Sequence, residues 1–528
     1  MGDTKQNMQD STNRRQARAM QEHQAKKKLR ITTLIVVVVF VVLVAGALLL
    51  NSKFIRRTAT AVTIGGRDFT TTEYDFFFNS AYQEFVQMVE SQGYSAYISL
   101  PDNTKPLASQ IYNAETGQTW SEFIAELAIS RMTELVQYSS AAAQAGYVLS
   151  EDDRKAMDEE IEYMRSIAEV SEGVNKLEQL LQNVYGSSIN EKIYREIYEY
   201  AYTVSAYCRD YNDELTYSDD QIKEYYSSMS DMLDVFTFRY ITITMESVSE
   251  EDFETDEEYN AAKEESLAAA LADAEGIASE IESEEDFIAA ARAYNESSYG
   301  EDDSTLREYL GELLGDNYGP WLRESERQYN DVTAVGMSNG AYVVYFVGRD
   351  NNDYNMTEMR QLLFTRQEIL EEDFELGHDD PGYIEAFDLV DKMARERGME
   401  ALRLFEEGGA TEDMLLELMT DHTDDTTEGA LYSDIAKYNY TSGNTQSLKL
   451  VPEIEEWLFE EGRQVGDYKL IRSEAYGYHL VYFVEYGEKL CNFMADDRMR
   501  TADYTAWVES LPEVGEASKA WAFVFTQR

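Results

Sequence analysis

The sequence is poor in cysteine, in histidine and, beyond its N-terminus, in basic residues. Two cysteines among 528 residues exclude a disulfide scaffold, and four histidines argue against a histidine-rich metal site. Residues 58–528 hold 34 Lys and Arg against 98 Asp and Glu. Because a body of this charge repels phosphate backbones, we expect no nucleic-acid partner. The hydrophobic content of 44% is too high for general disorder.

Charge is also absent from one long apolar stretch, residues 31–50. Twenty helical residues span about 30 Å, enough to cross a bilayer. The basic residues before the stretch predict a cytoplasmic tail at 1–30, a transmembrane helix at 31–51 and an extracytoplasmic body. The expectation is therefore a single-pass protein of the cell membrane. The alternative is a cleaved signal peptide, for which Thr58–Ala61 is a weak cleavage site.

The two cysteines, Cys208 and Cys491, both follow the predicted membrane helix. A disulfide is permitted on the outer side of a membrane. Two partly buried free thiols are the simpler expectation, and the sequence does not decide between them.

The periodicity of the apolar residues changes once along the remaining chain. Residues 58–230 have mostly helical spacing, whereas Val235–Thr244 alternates as a strand does. A hairpin is predicted around Asn339 and Gly340, and a similar order of elements recurs after Met359. The endings NGAYVVYFVGRD and AYGYHLVYFVEYG are alike. These features predict an α+β fold with an internal duplication of a small domain of roughly 115–135 residues.

Several segments together resemble the parvulin-type (PpiC/rotamase) membrane-anchored foldases of the SurA and PrsA kind. They are AVTIGGRDFTTTEYDFF, LTYSDDQIKEYYSSM, FRYITI, MRQLLF, LVPEIEEWLF and YGYHLVYF. The resemblance implies a SurA-like, mostly helical chaperone domain at 58–230 and two degenerate parvulin-like domains. These would be 232–350, expected to be inactive, and 354–487, followed by a C-terminal helix and an apolar strand at 488–528.

The resemblance also implies an isomerase site in the second domain. Its catalytic positions fall on His479, on Asp425 and on Gln361, the last replacing the family's strand histidine. Substrate-binding positions fall on the side chains of Leu431, Leu450, Ile454 and Tyr476. In the first domain the two histidine positions are Tyr240 and Tyr342, which departs from the active pattern. No metal or cofactor is implied.

Each of these residues also has a plain structural interpretation. His479 could be a core histidine, Asp425 lies among other acids, and Leu450 and Ile454 are spaced as core residues of one helix. His422 precedes Thr423 and two aspartates, but no nucleophile motif accompanies it, which argues against a hydrolase.

Three functions remain open at this point. The first is a folding factor of the peptidyl-prolyl cis–trans isomerase type that acts on unfolded or newly exported polypeptides, its activity retained or lost. The second is a holdase chaperone that uses the degenerate domains only for binding. The third is a cell-surface assembly or structural factor.

Overall fold

The computed structural model describes residues 37–41, 44, 52–91, 98–171, 173–174, 176–366, 381–437 and 450–526. The chain divides into two compact units. One unit combines Met1–Thr216 with Asp503–Arg528, and the other is Tyr217–Ala502. The predicted basic tail at 1–30 lies outside the described residues.

The first unit is mainly helical. Its helices are α1 Lys53–Thr58, α2 Thr71–Ser91, α3 Trp120–Ala145, α4 Glu151–Val170, α5 Leu177–Tyr185 and α6 Glu191–Glu214. Its strands are β1 Thr60–Ile64, β2 Arg67–Thr70, β3 Ile111–Asn113 and β4 Gln118–Thr119. Local sequence fixes the helix starts: Thr119 and Ser150 cap α3 and α4, each in a capping box with the acid three residues later.

The C-terminal segment belongs to the first unit. Strand β13, Ser518–Lys519, pairs with β1, and the ring of Phe523 packs edge-on against Tyr74 at 5.1 Å. The apolar strand predicted at the end of the chain is wrong, because Trp521–Phe525 forms a 3-10 helical turn. The apolar residues there pack by one face of a turn rather than by alternation.

The prediction of a transmembrane helix is contradicted. Among the described residues, no helix combines the length and the apolar character that a bilayer crossing requires. Of the segment 31–51, only Val37–Val41 and Val44 are described, all helical, and the rest lies outside the described residues. The predicted single-pass location, with a cytoplasmic tail and an extracytoplasmic body, depended on this helix and is contradicted with it.

The second unit contains two four-stranded antiparallel sheets with the same connectivity. The first half consists of α7 Asp219–Leu233, β5 Val235–Thr244, α8 Asp256–Ser279, α9 Glu284–Tyr294, α10 Glu296–Tyr299, β6 Leu306–Leu310, α11 Gly319–Leu322, β7 Val332–Met337 and β8 Gly340–Asp350. The second half consists of β9 Asn355–Thr365, α12 Pro381–Glu407, α13 Glu412–His422, β10 Leu431–Ile435, α14 Pro452–Leu458, β11 Tyr468–Arg472 and β12 Gly477–Lys489, and α15 Leu490–Ser510 follows. The strand orders are β6-β5-β8-β7 and β10-β9-β12-β11.

An arginine on the first strand makes equivalent contacts in both halves. Arg239 of β5 donates from Nε to Glu284 at 2.7 Å and from Nη1 to the carbonyl of Asp302 at 2.7 Å. Arg360 of β9 donates from Nε to Glu412 at 2.6 Å and from Nη1 to the carbonyl of Gly429 at 2.5 Å. Each arginine thus ties the strand to the start of a helix and to the loop after that helix.

A second repeated contact holds the last hairpin of each half. Arg327 and Arg463 stack over Trp321 and Trp457, each with Cζ 3.9 Å from the ring centroid. Their Nε atoms donate to the carbonyl oxygens of the same tryptophans, at 3.1 and 3.0 Å. The underlying motif, Trp-Leu-x-x-x-x-Arg-Gln-x-x-Asp, occurs at 321–331 and 457–467. Contact geometry therefore repeats more faithfully than the sequence as a whole.

The sheet of the second half has helices on both faces. Leu362, Phe364 and Leu480 face the cluster formed with α12 and α13. Met359, Val481 and Phe483 face the cluster formed with α14. The alternation along β9 and β12 therefore assigns each side chain to one of two separate cores.

Both cysteines are free and half-buried. Cys208 belongs to the first unit and Cys491 to the second. The structure thus has the two free thiols that were the simpler expectation.

Gly477 at the start of β12 gives the first testable prediction. It has φ of 142°, and a Cβ there would lie 2.3 Å from the carbonyl oxygen of Phe364. Gly477→Ala is therefore expected to lower the free energy of unfolding by about 2 kcal/mol or more in urea denaturation. Gly276→Ala in α8 is the matched control, since a Cβ there meets nothing within 4 Å. That control should be stabilising by about 0.5–1 kcal/mol, and equal effects of the two changes would contradict the close approach.

Candidate functional site

Strands β9 and β12 place Gln361 and His479 on one face of the second sheet. Val481 pairs with Gln361 and His479 pairs with Leu363, so the two polar side chains lie diagonally across the ladder. Both are buried, with exposed fractions of 7% for Gln361 and 3% for His479. Two polar side chains buried on an otherwise apolar face require hydrogen-bond partners.

The third predicted catalytic residue, Asp425, reaches this face on a loop that is fastened to β9. Asp424 N–H donates to the carbonyl of Leu363 at 2.8 Å, and Leu363 N–H donates to Thr423 Oγ1 at 2.9 Å. The Asp424 carboxylate accepts two hydrogen bonds from Arg397, at 2.8 and 2.6 Å. Asp424 thus anchors the loop, and its neighbour Asp425 is free to enter the site.

The three predicted catalytic side chains form one continuous network. Gln361 Nε2 donates to Asp425 Oδ2 at 2.8 Å, which leaves Gln361 Oε1 to accept from His479 Nδ1 at 2.9 Å. His479 Nε2 is then the acceptor, and it receives the hydroxyl hydrogen of Ser473 at 2.8 Å. The Asp425 carboxylate can only accept, so the Gln361 amide group must donate to it and its carbonyl oxygen must face His479. That oxygen in turn can only accept, so His479 carries its hydrogen on Nδ1.

The surroundings determine the protonation states of His479 and Asp425. Burial lowers the pKa of His479 to about 4, so the imidazole is neutral at neutral pH. Burial by itself would raise the pKa of Asp425, but hydrogen bonds from the Thr427 N–H, Tyr432 and Gln361 outweigh it and lower the pKa. Asp425 is therefore a carboxylate beside a neutral histidine and a neutral amide.

The predicted substrate-binding residues do not all share this face. Ile454 and Leu450 pack in the cluster with Tyr432 and Val481, next to the network. Tyr476 is 54% exposed, and its ring stands edge-on to His479 at 6.3 Å. Leu431 is different: it pairs with Arg360, which places it on the opposite face of the sheet. The structure therefore brings three of the four together and separates Leu431.

Two residues of the network were not anticipated from the sequence. Tyr432 donates its hydroxyl hydrogen to Asp425 Oδ2 at 2.8 Å and accepts from Gln361 Nε2 at 3.1 Å. Its position beside Leu431 in β10 was the available signal, since the neighbour of a strand residue faces the opposite side. Ser473, which follows β11, carried no signal, because its contact with His479 depends on the hairpin between β11 and β12.

The contact between Ser473 and His479 has the length found in acyl-transfer enzymes, but its setting differs. Ser473 is fully buried, with 0% exposure. Its Oγ also accepts from the N–H groups of Tyr476 and Gly477, at 3.2 and 3.3 Å. A nucleophile must reach a substrate carbonyl, and this hydroxyl is enclosed by its own turn. Ser473 therefore orients the imidazole.

The equivalent place in the first half is built from aromatic side chains. The pairing of Gly340 with Thr244 matches that of Gly477 with Thr365, so Tyr342 stands where His479 does and Tyr240 where Gln361 does. The Tyr240 ring lies 5.9 Å from that of Tyr318, and the Arg307 guanidinium lies 5.0 Å from it. These aromatic side chains occupy the position that the hydrogen-bond network has in the second half. Tyr240 and Tyr342 are not joined to each other through hydrogen bonds like those that Gln361 makes. The expected inactivity of this half stays a prediction.

Metal binding has no geometric support in the part of the chain that the structure describes. No three His, Cys, Asp or Glu side chains there are arranged to hold an ion.

Similarity to known proteins was found among solved structures. No protein family matches the chain, and no curated protein matches it. Among solved structures, the crystal structure of PrsA from Bacillus subtilis is similar over 52% of this chain and 88% of its own length, with 14% sequence identity and a TM-score of 0.13. A similarity this weak supports no functional conclusion.

The neutral His479 gives a testable dependence of stability on pH. Its pKa is about 4 in the folded chain and about 6.5 when unfolded, so the unfolded chain binds the extra proton between these values. Its contribution is present above about pH 6.5 and is lost as the pH falls to about 4. The free energy of unfolding of the wild type should therefore fall by about 3 kcal/mol more than that of His479→Gln between pH 7 and pH 4.

Urea denaturation at several pH values measures this difference. His422→Gln is the matched control, since His422 ends α13 and is not part of the network. Parallel pH curves for the wild type and His479→Gln would show that the imidazole is not held neutral.

Proposed function

We propose that the chain is a folding factor of the peptidyl-prolyl cis–trans isomerase type, with one site at Gln361, Asp425, Tyr432 and His479. The observation that carries this proposal is the directed network in which a carboxylate, a phenol, an amide and a neutral imidazole are fixed beside apolar side chains. All of its members lie on one sheet face and within one loop.

Prolyl isomerisation suits such a site because it needs no covalent step. The barrier to rotation, about 18–20 kcal/mol, arises from the double-bond character of the amide. A catalyst has to bind the twisted amide better than the planar one. Leu450 and Ile454 would hold the proline ring, and the fixed polar groups would interact with the twisted amide. Preorganised dipoles are effective here because they need no rearrangement during the reaction.

Gln361 takes the position of the strand histidine in the parvulin-type family that the sequence resembles, and it can make the same connections. A glutamine offers both a donor and an acceptor on one side chain. Here the donor serves Asp425 and the acceptor serves His479, at 2.8 and 2.9 Å. The substitution therefore keeps the bridge between the acid and the imidazole while removing a titratable group.

A holdase chaperone is the second candidate, and the burial of His479 and Gln361 favours it. Side chains exposed by 3% and 7% offer little surface to a substrate in the unbound chain. Under this candidate the network stabilises the domain, and unfolded polypeptides bind without isomerisation. Both candidates have unfolded polypeptide chains as partners.

The effect of Tyr432→Phe on isomerisation tests the first proposal. The change removes the hydroxyl that donates to Asp425 and leaves the ring in its cluster. If the site is catalytic, kcat/KM for a short X-Pro peptide should fall at least about tenfold, as measured with the full chain in a cis–trans exchange assay. Tyr342→Phe is the matched control and should leave kcat/KM unchanged, because Tyr342 occupies the filled place in the first half.

Two other outcomes have distinct meanings. Equal rates for wild type, Tyr432→Phe and the uncatalysed peptide would rule out isomerisation at this site. Suppression of the aggregation of an unfolded protein under the same conditions would then assign the holdase function.

A further inference from the structure

A groove in the first unit is not used by the proposed isomerase site. It has a volume of about 800 Å³ and is lined by α2, the first half of α3, the β3–β4 turn and the C-terminal segment. We refer to it as the α3 groove.

The floor of the α3 groove is apolar. Tyr74 and Phe78 of α2 line it and are almost fully buried, and Ile129 of α3 and Phe523 of the C-terminal turn complete it. The Tyr74 ring contacts both Phe78 and Phe523, at centroid distances of 6.2 and 5.1 Å. Because these rings are held by one another, the floor exists before any ligand binds, which favours an apolar side chain as occupant.

One rim of the α3 groove is anionic. Glu122 and Glu126 lie one turn apart on α3, and both are exposed. The Glu122 carboxylate accepts from the N–H and the hydroxyl of Thr119, which lower its pKa and keep it ionised. Glu126 accepts from Gln118 Nε2 at 2.8 Å. The Lys519 ammonium also lines the groove and contributes to the lowered pKa of Glu122, so the two carboxylates together leave one net negative charge at this rim to attract a further cationic group.

Edge strand β13 also borders the α3 groove, through Lys519. In the sheet of order β13-β1-β2, β13 has β1 as its single partner among the described residues. Lys519 of β13 lines the groove, and its ammonium lies 4.7 Å from the centroid of the Phe523 ring. An extended chain that adds to an edge strand gains backbone hydrogen bonds irrespective of its sequence.

We propose that the α3 groove binds an extended polypeptide segment that carries a lysine or arginine next to a bulky apolar residue. The apolar side chain lies on the floor of Phe78, Ile129 and Phe523. The cationic group lies between Glu122 and Glu126, and the backbone runs along β13. This inference deepens the proposed function, on which it rests for its ligand class, by naming a polypeptide-binding site separate from the isomerase network.

The test uses the full chain and a short fluorescein-labelled peptide in which a lysine lies between two phenylalanines, flanked by glycine and serine. Its affinity is measured by fluorescence anisotropy at about 0.15 M salt, where fields from distant charges are largely screened. Glu122→Gln/Glu126→Gln should weaken binding at least tenfold. Glutamine at position 122 retains the capping box, so α3 is expected to keep its start.

The matched control is Glu90→Gln/Glu134→Gln, which changes the net charge equally on exposed faces of α2 and α3 outside the groove. This control should bind the peptide as the wild type does. Equal weakening by the two double variants would reduce the effect to net charge and overturn the proposal. Unchanged binding in Glu122→Gln/Glu126→Gln, with an unchanged thermal transition, would overturn it as well.

Two further arms separate this proposal from the isomerase proposal. A peptide with glutamate in place of lysine should bind at least tenfold more weakly to the wild type, and equal binding would contradict the anionic rim.

Tyr432→Phe should leave the affinity of the lysine peptide unchanged. If the chain shows no isomerisation but Glu122→Gln/Glu126→Gln loses the peptide, the groove stands and the isomerase proposal fails. If the wild type does not bind the peptide, the groove proposal fails whatever the isomerase assay shows.

Discussion

The hydrogen bonds of Arg360 are the constraint on which the second half depends. This side chain joins β9 to Glu412 at the start of α13 and to the carbonyl of Gly429 beyond its end. The loop that carries Asp425 lies between these two points, so its ends are fixed relative to the strand that carries Gln361. A largely buried guanidinium is costly to desolvate unless its donors are used. The hydrogen bonds that satisfy the Arg360 guanidinium therefore also position the loop that carries Asp425.

The same arginine contacts occur in the first half, which lacks the polar network. These contacts therefore form a structural frame that does not depend on the site. Arg239 and Arg327 hold the first half as Arg360 and Arg463 hold the second, with nearly the same distances. Within that common frame, one half carries a polar network and the other carries stacked tyrosines. Since the frame does not depend on what fills this place, different side chains there are compatible with the same fold. This is why topology alone does not decide which half is functional.

The resemblance picked out the three residues that form the centre of the network, but it was less accurate for the residues around them. Gln361, Asp425 and His479 were assigned by resemblance, and the structure joins them through two hydrogen bonds. Leu431 was assigned to the same pocket but lies on the other face, because a shift of one residue along a strand reverses the side. Ser473 depends on a tertiary contact that no local pattern announces. The repeated Trp-Leu-x-x-x-x-Arg-Gln-x-x-Asp motif was readable, yet its meaning emerges only from the stacking of each arginine on its tryptophan.

Hydropathy and strand alternation carry different information about this chain. A run of apolar residues at 31–50 has the length that a membrane helix requires, whereas no helix among the described residues combines that length with that apolar character. The alternation within Val235–Thr244 correctly predicted β5, since successive side chains of a strand face opposite sides of its sheet. The network is constrained in a comparable way, because its polar atoms have partners that the fold supplies.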